Sequence, residues 1–149
     1  MKKIFLSLFL LTISIVSNAQ LWHYQHIKTV AETSEDVTFQ LLVYCDSKKE
    51  LNYAAYLAGI RCVMFDGIPE SRFNKPLLSE GEITSTENNH IYFDDLYGKR
   101  YTDYIKNCMM LSKFKKSGYG QSTLFEITVR VSMLRKDLEK HSVRTKFGL

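Results

Sequence analysis

From Leu124 to Met133 the chain alternates without interruption: Phe125, Ile127, Val129, Val131 and Met133 fall on one register, and Leu124, Glu126, Thr128, Arg130 and Ser132 on the other. A period of two is the side-chain period of a strand, so this segment predicts a strand with one apolar face. Slipping it by one residue would expose all five apolar positions, which makes it the central or near-central strand of a sheet. A second run has the same period, with Val37, Phe39, Leu41, Val43 and Cys45 alternating with Thr38, Gln40, Leu42 and Tyr44. Leu21 to Val30, carrying Ile27, Thr29 and Val30, pairs with it as the weaker arm of a hairpin across the polar turn Glu32 to Asp36.

Between these strands the period changes. Leu51, Ala54, Ala55, Ala58, Cys62 and Phe65 recur at steps of three and four, which predicts a helix to about Phe65, with Ser47 and Glu50 as its capping box and alanines that permit close approach to a sheet. Gly67 and Pro69 end it, and residues 68–89, with Pro76, Gly81 and the polar run Ser85 to Asn89, read as a long surface loop. Phe93, Leu96, Tyr97, Tyr101, Tyr104, Ile105 and Cys108 again have helical spacing, broken at Gly98. Cys108 to Lys115 continues that helix or, preferably, forms a strand that turns through Ser117, Gly118, Tyr119 and Gly120. A last helix is expected from about Met133, with Ser132 as N-cap and Leu134, Leu138 and His141 on one face. Strands joined by hairpins, with helices between them, predict an α+β fold: a small antiparallel sheet with helices packed on one face.

The N-terminus carries a different signal. Lys2 and Lys3 precede the apolar run Ile4 to Val16, and Ser17, Asn18 and Ala19 supply small residues at a cleavage position. This order predicts a signal peptide over 1–19, with an uncleaved N-terminal anchor as the alternative, a single mature domain over 20–149, and an exported protein, periplasmic or at the cell surface. No cysteine lies near the cut for lipid attachment, and no later run is long enough to predict a membrane span. Without the two leader lysines the chain keeps 18 basic and 16 acidic residues, a net +2, so the whole-chain isoelectric point of 8.9 is no argument for nucleic-acid binding.

No spacing in the chain amounts to a catalytic or metal signature, and none calls for a cofactor. Cys45, Cys62 and Cys108 read as small apolar residues on buried faces, with a single disulfide the alternative that export permits. His23 and His26, three apart on a strand, point to opposite faces and make no metal pair. Asp94 and Asp95 suit a helix start, where carboxylates favour the dipole. Lys113, Lys115 and Lys116 lie with Phe114 and Tyr119 at the expected hairpin tip; they read either as a charged turn that resists edge aggregation or as the candidate partner-binding group, with Tyr119.

Ala54 to Pro69, Lys75 to Leu78, Tyr92 to Tyr97, Leu134 to Lys140 and Lys146 to Gly148 occur in an order that resembles a family of small exported proteins of Gram-negative anaerobes. That resemblance implies export and one small α+β domain; it implies no activity, cofactor or catalytic residue. The functional expectation is a non-enzymatic binding or assembly module of the cell envelope, with an envelope protein or an anionic envelope component as partner. The alternative is a small envelope hydrolase or ligand-binding enzyme with a site under loop 68–89 that uses His90, Asp94 or Asp95.

Overall fold

The computed structural model describes residues 23–117 and 120–145. The predicted leader and Tyr119 lie outside the described residues. Strand β1 (Tyr24–Glu32) turns through Thr33, whose hydroxyl accepts the Asp36 N–H at 2.9 Å, into β2 (Asp36–Cys45). Glu32 is therefore still strand. β2 pairs in unbroken antiparallel register with β5 (Gly120–Arg130), and β5 pairs on its other side with β3 (Ile105–Met110) and β4 (Lys115–Ser117). The order β1-β2-β5-β3 puts β5 inside the sheet, where its uninterrupted alternation requires two neighbours.

Val37, Phe39, Leu41, Val43, Phe125, Ile127 and Val129 form the buried face. Helix α1 (Leu51–Arg61) lies across it. Ala54, Ala55, Ala58 and Gly59 are all buried, and a Cβ on Gly59 would stand 3.0 Å from Ile127 Cγ2, so the small residues set how closely helix and sheet approach. The expected capping box does not form: Ser47 Oγ accepts from the Lys49 N–H, and Glu50 holds the N-cap without a side-chain bond.

The helical path continues past Arg61 as a π-helical turn, Cys62–Asp66. Its end is fixed by Gly67, at φ +78°, where a Cβ would meet the Asn74 carbonyl oxygen at 2.5 Å. The carbonyls of Val63 and Met64 accept from the N–H groups of Leu77 and Leu78, at 3.2 and 2.9 Å, which ties the following segment back onto the core. Of the loop expected over 68–89, only the first part is irregular, because helix α2 (Glu82–Asn88) occupies the rest. Arg61 reaches Glu82 through two bonds of 2.6 and 2.8 Å and holds α2 against α1.

Helix α3 (His90–Asp95) runs on through a π-helical turn (Leu96–Arg100) and a 3₁₀ turn (Tyr101–Tyr104), so Gly98 marks a change of pitch and not a break. Ile105 and Cys108 belong to β3, not to that helix. After β5 the chain enters α4 (Val131–Lys140), two residues before the expected start. Ser132 is consequently inside the helix, where its N–H donates to the Glu35 carbonyl, and Met133 is 47% exposed, outside the buried set in which it was expected. Val131, Leu134 and Leu138 are buried, while His141, expected on the same face, is exposed at the helix end. Helices α1 and α4 pack on the antiparallel sheet, and the fold is α+β.

Candidate functional site

The hairpin that begins at β3 is built around a kink in a sheet edge. Leu111 donates its N–H to the Leu124 carbonyl at 2.7 Å, and the Ser112 hydroxyl then accepts the Leu124 N–H at 2.9 Å in place of a backbone carbonyl. The chain steps out at this point and rejoins β5 as β4, with Lys115 opposite Ser122 and Lys116 opposite Gln121. Phe114 packs against the core and anchors the step; Lys113, Lys115 and Lys116 around it are all exposed. The three lysines thus lie along the arm of the hairpin that leads to its turn, Lys115 and Lys116 on successive positions of β4 and so on opposite faces of it.

Upstream of the lysines the edge is apolar. Met109, Met110 and Leu111 are 47%, 45% and 41% exposed, and Lys106 projects from a bulge at the start of the strand. Sequence reasoning passed over these three residues, since the segment was ambiguous between helix and strand. A signal for them existed: Tyr104 to Phe125 contains four lysines and no carboxylate, while the rest of the chain holds 16 basic and 16 acidic residues, so the net +4 resides in this hairpin.

The sheet face opposite the helices continues the surface. Registers place Tyr44, Ser122 and Lys115 in one row, Gln25, Leu42 and Leu124 in the next, then Lys28, Gln40, Glu126 and Met109, then Ala31, Thr38, Thr128 and Asn107. Gln40 donates to Glu126 at 3.1 Å and the threonine hydroxyls meet at 2.9 Å, so the middle of the face satisfies its own polar groups. Arg130 ends the face opposite Asp36, whose carboxylate also takes Lys106 Nζ at 2.7 Å.

The residues of the enzyme reading, His90, Asp94 and Asp95, all lie on α3. Asp94 and Asp95 lie at the end of α3, not at a helix start; Asp94 is exposed and Asp95 pairs with Arg100. Arg100 also donates to Tyr104 and Asp137, each at 2.9 Å, and Asp137 accepts from the Tyr92 hydroxyl at 2.8 Å, a network that fastens α3 to α4. His90 lines a shallow hollow of about 280 Å³ with Asn88, Asn89, Ile91, Tyr92 and His141. A larger hollow of about 380 Å³ beside Pro76 to Glu80 is lined by none of His90, Asp94 and Asp95.

Cys45, Cys62 and Cys108 are free thiols; the first two are buried, while Cys108 is half-buried and so less enclosed than its expected place in a helix stripe implies. Burial pushes Cys62 up to about 12, with Asp66 adding to the effect, and Cys108 up to about 11, so both are protonated and poorly nucleophilic at neutral pH. His26 stacks on Phe39 with ring centres 6.1 Å apart, and no group of three His, Cys, Asp or Glu residues suited to a metal occurs among the described residues. Among those residues no helix is long and apolar enough to cross a membrane. No protein-family model, curated protein or solved structure matches this chain.

Proposed function

We propose that this protein is an exported, non-enzymatic binding module of the cell envelope, whose contact surface is the basic hairpin from β3 to β5 and which engages an anionic envelope component or an acidic face of an envelope protein. The observation that carries the reading is charge segregation: Tyr104 to Phe125 holds four lysines and no carboxylate, and of these Lys106 pairs with Asp36 while Lys113, Lys115 and Lys116 are exposed. Exposed cations gathered on a hairpin, with apolar side chains beside them, make a surface that attracts acidic partners and then offers them contact area. The leader pattern of Lys2, Lys3 and Ile4 to Ala19 supports the exported setting.

The test is binding of the chain lacking residues 1–19 to three acidic probes: polyglutamate, phosphatidylglycerol vesicles and lipopolysaccharide. Replacing Lys113, Lys115 and Lys116 together by Ser is expected to weaken binding to the preferred probe at least about fivefold at low salt, and added salt is expected to reduce the parent's binding as well. Thermal stability should hardly change, since exposed substitutions usually cost under about 0.5 kcal/mol. Equal binding by parent and triple variant, or no binding to any probe, would refute the reading.

A further inference from the structure

The two edges of the sheet are finished differently. β1 is interrupted by two bulges, between His26 and Lys28 and between Thr29 and Ala31, and the segment after α1 is fastened to it: Thr29 Oγ1 donates to the Pro69 carbonyl, and the Arg72 N–H donates to the Glu32 carboxylate. Bulges and covering segments are the usual means of closing a sheet edge. β3 has one bulge, at Lys106, and from Asn107 to Leu111 it is regular, with no described strand on its outer side.

The direction of its backbone groups follows from the ladder. Leu111 points its N–H at Leu124, so the antiparallel alternation turns the N–H and C=O of Met110 and Cys108 away from β5, toward the outside of the sheet. That edge offers paired donors and acceptors, exposed apolar side chains at Met109, Met110 and Leu111, the Lys106–Asp36 pair before it, and the exposed Lys113, Lys115 and Lys116 after it.

We infer that β3 is a strand-addition site, at which an extended segment of a partner protein, alternating apolar and acidic residues, hydrogen-bonds to Cys108 and Met110 and adds a further strand to the sheet. The inference rests on the binding-module reading and specifies the partner and its mode of attachment. Charge complementarity selects the occupant. Lys106 is already paired with Asp36, so the charge that selects is that of Lys113, Lys115 and Lys116: a second copy pairing edge to edge would bring two such lysine groups together, whereas an acidic strand is attracted by them. Backbone bonds would give such a complex its geometry, and alternate side chains its selectivity.

The probes are a short peptide alternating valine and glutamate, the same peptide with lysine for glutamate, the acidic peptide N-methylated at alternate residues, and phosphatidylglycerol vesicles. The acidic peptide is expected to bind at least about tenfold more tightly than the lysine peptide, and to shift the Cys108 and Met110 amide resonances. N-methylation should weaken it at least about fivefold, and so should Met110→Pro in the protein, a change that removes an outward N–H while sparing the bonds to β5. Should Met110→Pro fail to fold, the N-methylated peptide and the two amides decide alone. If the N-methylated peptide binds as well as its parent, or the two amides do not move, the contact is charge alone; strand addition is then refuted and the basic-hairpin reading stands. Binding to vesicles without binding to the peptide refutes it in favour of a membrane surface. Concentration-dependent dimers that protect the β3 amides refute it in favour of a second copy. Binding to none of these probes refutes strand addition, and the basic-hairpin reading is then decided by polyglutamate and lipopolysaccharide.

Discussion

At the scale of single residues, Asp137 shows how a side chain on a polar face becomes part of the fold. Burial pushes its carboxyl upward, but hydrogen bonds from Arg100, Tyr92 and Tyr104 outweigh that and hold it below its ordinary 3.8. A carboxyl depressed in the folded state contributes stability above its unfolded value, and the contribution disappears as pH falls through the folded value. Asp137→Asn is therefore expected to cost about 1–3 kcal/mol at pH 7, with the difference from the parent shrinking below about pH 4. Denaturant melts of both proteins across pH 2–7 check this, and a gap that stays constant with pH would contradict it. Cys62 behaves oppositely: its thiol is raised and stays neutral, consistent with a role in packing.

Among the elements, those with a long unbroken period were legible from the sequence. β2 lies where its alternation puts it, while β5 and α1 overlap their expected spans: β5 runs Gly120–Arg130 and not Leu124 to Met133, and α1 gives way to the π-helical turn at Cys62. Helix α2 was not legible: of Glu82 to Asn88 only Ser85 is buried, so there is no apolar stripe to read, and the helix is held by Arg61 on Glu82 instead. Ile105 and Cys108 imitated helical spacing because the bulge at Lys106 puts residues three apart on the same side of a strand. Met133 extended the alternation of β5 by letters alone, since Val131 already begins a helix whose buried stripe is Val131, Leu134 and Leu138. The lysines of the candidate site were legible, but its apolar portion, Met109 to Leu111, was hidden by the same ambiguity. The contrast between α1 and α2 gives a direct check. Ala58→Asp puts an unpaired charge into the α1–sheet contact and should cost several kcal/mol, on the order of 3–5. Ile83→Asp, at a position on α2 that is 67% exposed, should stay within about 0.5 kcal/mol. Similar losses in thermal or denaturant melts would contradict this packing.

For the whole molecule, the decisive property is the division of labour between the two faces of one sheet. Helices α1 and α4 close the inner face over an apolar core, so stability resides there. The outer face satisfies its central polar groups internally, and its β3 to β5 side carries the chain's excess positive charge beside an apolar edge. Binding at such a surface requires no rearrangement of the core, and the slowest backbone exchange should remain in β2 and β5 whether or not a partner is present. The measurement that bears most directly on this account is hydrogen–deuterium exchange of the chain lacking residues 1–19, alone and with the most tightly bound acidic probe. Added protection is predicted over residues 105–117, with little change in α2, α3 or the segment 76–80. Protection confined to those other regions, with 105–117 unaltered, would contradict the claim that the basic hairpin is the binding surface.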